Sequence, residues 1–153
     1  MGTAIAPCII TGHIGLNVSD LERSVAFYRR AFGFDQLVAS ADGAQRFAFL
    51  GFDGTPVLTL WEQSSGEFSA ATPGLHHLSF QVDSVQEVRE VESVLKELST
   101  VFAHDGVVAH REGASSGGIF FTDPDGIRLE VFAATGVEQH QTPAGDAPTC
   151  GFF

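Results

Sequence analysis

Two stretches of this chain repeat one another. His13-Ile14-Gly15-Leu16-Asn17-Val18 and His77-Leu78-Ser79-Phe80-Gln81-Val82 agree position by position as histidine, aliphatic, small, apolar, carboxamide and valine. In both, every second residue is apolar, the period of a strand buried on one face. Each is followed by the signature of a capped helix, Ser19 with Glu22 and Ser84 with Glu87. Leu21, Val25, Tyr28 and Phe32 make one apolar stripe before Gly33 ends the first helix; Val85, Val88, Val91, Val94, Leu95 and Leu98 line the second. Further strands are expected over 34–40, 45–51 and 56–62 in the first half, and over 107–111, 118–122 and 126–132 in the second. The chain therefore reads as a duplicated βαβββ unit, an α+β fold of two tandem modules. Each sheet turns an aliphatic face to its own helix, so the opposite faces, bearing the histidines, are expected to line a shared interior. The boundaries that follow are an N-terminal segment 1–11, a first module 12–62, a linker 63–74, a second module 75–134 and a tail 135–153. The linker holds Ser64-Ser65-Gly66 and Pro73-Gly74 and has no apolar period. The tail is rich in Thr, Pro, Gly and Ala and is expected to be mobile, although Gly151-Phe152-Phe153 is apolar for such a segment.

Within the second unit, Gly118 to Phe132 reads GIFFTDPDGIRLEVF, two β-rich runs around Asp123-Pro124-Asp125-Gly126. Proline presets φ and glycine accepts a positive φ, so a hairpin is expected. On the returning strand Ile127, Leu129 and Val131 form the aliphatic face, which places Glu130 at mid-strand on the other. A carboxylate there must be paired, solvated in a cavity or bound to a cation, since desolvating it alone costs several kcal/mol or more.

Composition narrows the partners. At 153 residues and 44% hydrophobic, the chain can bury one substantial core. A formal charge of −11 with no local Lys/Arg cluster argues against nucleic acid and anionic membranes. No run approaches the roughly 18 apolar residues of a membrane helix, and MGTAIAPCII lacks the basic start of a signal peptide, so a cytoplasmic location is expected. Cys8 and Cys150 stand near opposite ends with no CxxC pair and read as free thiols of a reducing compartment.

His13 and His77 hold equivalent places on two strands, and with Glu130 they suit a divalent metal. Two neutral imidazoles and one carboxylate make the facial-triad ligand set, which leaves positions open for substrate and oxygen or water. Fe(II) is favoured, and Mn, Ni and Zn accept the same set.

From Gly12 to Ala134 the sequence resembles the vicinal oxygen chelate superfamily, the glyoxalases, bleomycin-resistance proteins and extradiol dioxygenases. The resemblance rests on His13 followed by SDLERSVAFYRRAFGF, on the second histidine strand, and on FFTDPDGIRLEVF with its closing glutamate. It implies modules curled into an open mixed-sheet barrel around a divalent metal held by His13, His77 and Glu130. It also implies a small substrate chelating through two neighbouring oxygens, and a homodimer. If modules pair between chains, His13 of one subunit meets His77 and Glu130 of the other.

Thr59 takes the place equivalent to Glu130 in the first module, where a glyoxalase I of the usual type has a second glutamate. Glu62, the nearest carboxylate, points to the other face unless a bulge near Pro56 shifts it. His110, Phe120 and Glu130 approximate an extradiol signature, with Phe120 where a tyrosine is usual and the spacing after His110 one residue too long. His110 is thus either an acid/base group acting beside Glu130 or an exposed strand histidine. The loop Arg111–Gly117 resembles the serine-bearing loop of fosfomycin-modifying enzymes but lacks their lysine. Thr59, Trp61, Phe120, Phe132 and Arg128 are the expected ligand contacts, with core packing as the alternative for Trp61 and Phe132. His76 is expected to face away from His77 and serve structure. The leading expectation is a dioxygenase-like metal enzyme, against a glyoxalase-like lyase or isomerase and a drug-sequestering protein without catalysis, which a charge of −11 suits if its ligand is cationic.

Overall fold

The computed structural model describes residues 7–143, 145, 147–151 and 153. Residues 1–6 of the expected N-terminal segment, and Ala144, Asp146 and Phe152 of the expected tail, lie outside the described residues. The order of elements is β1 (Ile14–Val18), α1 (Leu21–Phe32), β2 (Asp35–Ser40), β3 (Phe47–Phe52), β4 (Thr55–Glu62), β5 (Leu78–Val82), α2 (Val85–Glu97), β6 (Val108–Ala109), β7 (Gly117–Thr122) and β8 (Arg128–Ala133). The strands form two four-stranded sheets of the same topology, β1-β4-β3-β2 and β5-β8-β7-β6. In each, the first strand runs parallel to the last of its unit and the other pairs are antiparallel. The duplication extends to register: Gly15 lies opposite Thr59 in the first sheet as Ser79 lies opposite Glu130 in the second.

The second helix begins as its sequence predicts, with Ser84 and Glu87 completing a reciprocal capping box. The first does not. Asp20 caps α1 by accepting from the Arg23 N–H, and Ser19 is drawn away to Asp125 in the other module. Gly33 ends α1 in the left-handed conformation, at φ 70°, where a Cβ would be strained.

One core joins the two units. It contains Leu16, Val18, Phe27 and Tyr28 from the first and Leu78, Val88, Leu95 and Phe121 from the second. Phe32 at the end of α1 reaches across to Phe80 on β5, ring centroids 4.8 Å apart. Polar contacts between the modules run from the same helix to the β7–β8 turn. The Tyr28 hydroxyl donates to Asp123 Oδ2 at 2.9 Å, and the Arg23 guanidinium meets Asp125 Oδ1 at 2.7 Å. Asp123 Oδ1 meanwhile accepts from the backbone N–H groups of Asp125 and Ile127, both at 2.9 Å, which shapes the turn itself.

The α+β fold of two tandem modules with unclosed mixed sheets is as expected, while within one chain the open sheet faces do not meet. The shared apolar core lies on the helix sides, while Gly15, Asn17, Ser79 and Gln81 on the opposite faces are exposed. The sheets do not close on one another within the chain. The tail is corrected: the described part is docked. Val137 and Thr149 are buried, the Ala109 N–H donates to the Gln141 carbonyl at 3.0 Å, and the Thr149 hydroxyl donates to the Ala109 carbonyl at 2.6 Å. The short edge strand β6 thereby gains a second neighbour, which composition alone could not signal.

Burial raises the Asp123 carboxyl above its ordinary value of 3.8, against the lowering effect of the bonds from Ile127, Tyr28 and Asp125. The folded protein therefore holds this proton more tightly than the unfolded chain. The stability it contributes is fully present below 3.8 and is lost as pH rises through the raised folded value. Asp123→Asn removes the titration, so its stability relative to the parent should improve as pH is raised from about 4 to 6, as urea unfolding at several pH values will show. Tyr28→Phe keeps the ring and strands a buried carboxylate oxygen, and should cost roughly 1–3 kcal/mol at neutral pH in the same assay.

Candidate functional site

Because Leu129 and Val131 are drawn to the helix side of β8, Glu130 stands on the open face, 3% exposed, between Ser79 on β5 and Phe120 on β7. Each carboxylate oxygen meets an imidazole. Oε1 is 2.5 Å from His110 Nε2, and Oε2 is 3.7 Å from His77 Nε2. An ionised carboxylate only accepts, so His110 Nε2 carries a proton toward it. The other ring nitrogen, Nδ1, lies 2.9 Å from Ser116 Oγ, fixing the ring by a second bond. Ser116, His110, Glu130 and His77 thus form one polar chain across the sheet, beside a cleft of about 530 Å³ also lined by Ser79, Phe132 and Cys150.

Desolvation by burial lowers the His77 pKa from its ordinary 6.5, while the Glu130 charge opposes the shift. The imidazole is therefore held toward its neutral form, the form that binds a metal. His77 Nδ1 is 2.8 Å from His76 Nδ1. When His77 donates there, its Nε2 lone pair is left free on the Glu130 side. Residue alternation placed His76 on the other face, but β5 begins only at Leu78, so alternation does not reach the two histidines. The adjacency of two histidines was the signal available.

Of the predicted residues, the open face of the second sheet brings together His77, His110, Glu130, Phe120, Phe132 and Arg128. His110 packs against Phe132 and Phe120, with ring centroids 5.3 and 6.3 Å away. His13, Thr59 and Trp61 belong to the first sheet and its leading edge. His13 is exposed. Thr59 is buried, accepts from Trp61 Nε1 at 3.3 Å, and belongs with Trp61, Phe47 and Phe49 to an aromatic patch on that sheet's open face. Among the described residues no three His, Cys, Asp or Glu side chains stand close enough to hold an ion. One chain therefore does not assemble His13 with His77 and Glu130. The His77–Glu130 pair itself fits a metal: an ion bonded at about 2.1 Å to each atom spans up to about 4.2 Å, and the observed gap is 3.7 Å.

Glu62 is not available as a further ligand. Its carboxylate accepts from the Leu21 N–H at 2.7 Å, where α1 starts, and from Arg46 at 2.9 Å. A register shift does occur beside Pro56, between Leu50 and Gly51 on the partner strand, yet downstream of it Thr59 remains opposite Gly15. The bulge leaves the threonine in the place equivalent to Glu130.

Residues 10–131, which include both repeated histidines and Glu130, match the model of the Glyoxalase/Bleomycin resistance protein/Dioxygenase superfamily. The chain belongs to this superfamily. Within it, the chain is 30% identical over 139 residues to the trivalent organoarsenical cleaving enzyme of Bacillus sp. (strain MD1), covering 90% of this chain and 80% of that protein. A glyoxylase/bleomycin resistance protein/dioxygenase domain from Frankia sp. EAN1pec superposes with a TM-score of 0.72 at 26% identity, over 83% of this chain and 98% of that one. The fosfomycin resistance protein FosX of Listeria monocytogenes, solved with Mn(II) and sulfate, superposes with a TM-score of 0.61 at 27% identity, over 86% and 98%. The metal in that FosX structure, Mn(II), is a divalent ion. No helix among the described residues is long and apolar enough to cross a membrane.

The Glu130 charge is what holds the His77 pKa up against burial. In chelator-treated protein, Glu130→Gln should lower that pKa further, read from an NMR titration of the His77 ring. An unchanged or raised value would show that the two side chains do not share one electrostatic environment.

Proposed function

We propose that this protein is a divalent-metal enzyme, dioxygenase-like, acting on a small substrate that chelates through neighbouring oxygens. The observation that carries the reading is Glu130, a mid-sheet carboxylate whose two oxygens face His77 and His110 on an open sheet face. A sequestering pocket gains nothing from burying that charge. His77 and Glu130 would hold the ion, and His13 of the partner subunit would supply the third ligand. Fe(II) is favoured, with Mn, Ni and Zn as chemically equivalent occupants. When bound, the metal supplies a Lewis acid with positions open to two substrate oxygens and to oxygen or water.

The side chains of this chain do the rest. His110 holds a proton at Nε2 beside the carboxylate, oriented by Ser116, and is the acid/base candidate. His76 is a positioning residue: with His77 Nδ1 donating to it, His77 Nε2 is the nitrogen left free for the ion. Arg128 offers a positive charge to an anionic substrate, and Phe120 and Phe132 exclude water. Thr59 in the place of a second glutamate removes the base that lyase or isomerase chemistry needs, which favours the dioxygenase-like reading over the glyoxalase-like one.

The same reading calls for a homodimer. The first sheet leaves Phe47, Phe49 and Trp61 half-exposed on its open face, a surface suited to the open face of another copy's second sheet. Two such pairings would build two composite sites.

Protein purified without chelator, or reconstituted with Fe(II), should carry stoichiometric metal, and His77→Ala should lose at least about 10-fold in metal affinity, the scale of a lost ligand or its support. A parent that takes up no metal would overturn the reading. Subunit composition has its own test: mixing His13→Ala with Glu130→Ala protein should restore about a quarter of the sites, the random-pairing share for composite sites in a dimer. No recovery after verified subunit exchange would argue against sites shared between chains. A product formed aerobically and absent under anaerobic conditions would distinguish oxygenation from lyase or isomerase chemistry.

A further inference from the structure

Beside Glu130 the chain places one of its own aromatic rings. Phe153 lies over the open face of the second sheet, 5.4 Å from Phe120 at an interplanar angle of 76° and 5.6 Å from His77 at 37°. The Arg128 guanidinium sits over the same ring, 5.4 Å from its centroid. Phe120 and Arg128 are the neighbours of Glu130 across to β7 and along β8, so the ring occupies the surface next to the carboxylate. It is half-buried there and contributes nothing to the main core.

The ring is delivered by an anchored segment. A 3-10 turn at Thr149–Gly151 is tied to the end of β6 and to His110, which follows it: the Thr149 N–H donates to the His110 carbonyl at 3.0 Å, and its buried hydroxyl donates to the Ala109 carbonyl at 2.6 Å. Cys150 and Pro148 of this segment form part of the cleft wall beside Glu130. Edge-on contact with Phe120, a guanidinium above and an imidazole alongside make a seat for a planar ring.

We infer that Phe153 is an internal occupant of the substrate seat, a plug that a planar aromatic ligand displaces. The inference rests on the metal-enzyme reading above and adds a device of this chain to that site: a planar ring enters the seat by taking the place of Phe153. Self-occupation reduces apparent affinity in proportion to the fraction of molecules with the seat open. Removing the ring therefore tightens binding without adding a contact.

The test uses 4-nitrocatechol, whose absorbance reports its environment, with parent protein, Phe153→Ala and Phe153→Leu. Metal-free samples come first, because the seat is built from protein side chains, Phe120, Arg128, His77 and His76. Phe153→Ala should bind the probe at least about 3-fold more tightly than the parent, with Phe153→Leu between them. Equal or weaker binding by Phe153→Ala, or no binding by any of the three proteins, overturns the inference. In the parent, adding probe should speed hydrogen exchange at the Thr149 amide as the segment loosens. Slower exchange would mean that the ring closes over the ligand, and would also overturn it. Metal content is measured on separately reconstituted samples, so a failure to bind metal counts against the proposed function and leaves the plug test intact.

Discussion

The β7–β8 turn gripped by α1 is the constraint on which the rest of the molecule depends. Asp123 shapes the turn with one carboxylate oxygen and receives the Tyr28 hydroxyl on the other; Asp125 receives Ser19 and Arg23. These bonds hold a hairpin of one module against the helix of the other, and Phe32 against Phe80 extends the contact in apolar form. The helix sides of both sheets consequently share one core. Their other faces are left outward, and that is where the chemistry-bearing residues stand.

The outward orientation explains the state of the site in a single chain. Glu130 is nearly inaccessible although its sheet face is open, because His110, Phe120 and the docked segment after β8 surround it. Two imidazoles share its charge, and one of them is held toward neutrality by its own burial. The corresponding place in the first module is held by a threonine bonded to a tryptophan. One sheet is thus polar at its centre and the other aromatic, so the two faces complement each other in chemistry while neither completes a metal site alone.

Much of this was legible in the residues. The repeated hexapeptides point to two strands, and alternation against Leu58 and Leu60 in one module and Leu129 and Val131 in the other makes Thr59 and Glu130 equivalent, because the side-chain period of a strand is fixed at two. The Ser84–Glu87 box placed a helix start correctly, since capping is a local matter of hydrogen bonds within one turn. The same logic failed at Ser19, whose hydroxyl found a partner 106 positions away that no local pattern reveals. His76 escaped for a related reason: strand alternation was extended to residues where the strand had not yet begun.

By itself, then, the sequence determined the modules, the alternating faces, and the placing of Glu130 on the open face of its sheet, because these follow from backbone periodicity. Tertiary structure decided which faces meet. Whether two open sheets enclose a cavity or turn apart depends on contacts between residues far apart in the chain, here Tyr28 with Asp123 and Arg23 with Asp125. It likewise decided that His13 stands apart from His77 and Glu130, and that Phe153 lies over His77. Each of these outcomes is set by long-range packing, for which a strand or turn motif carries no information.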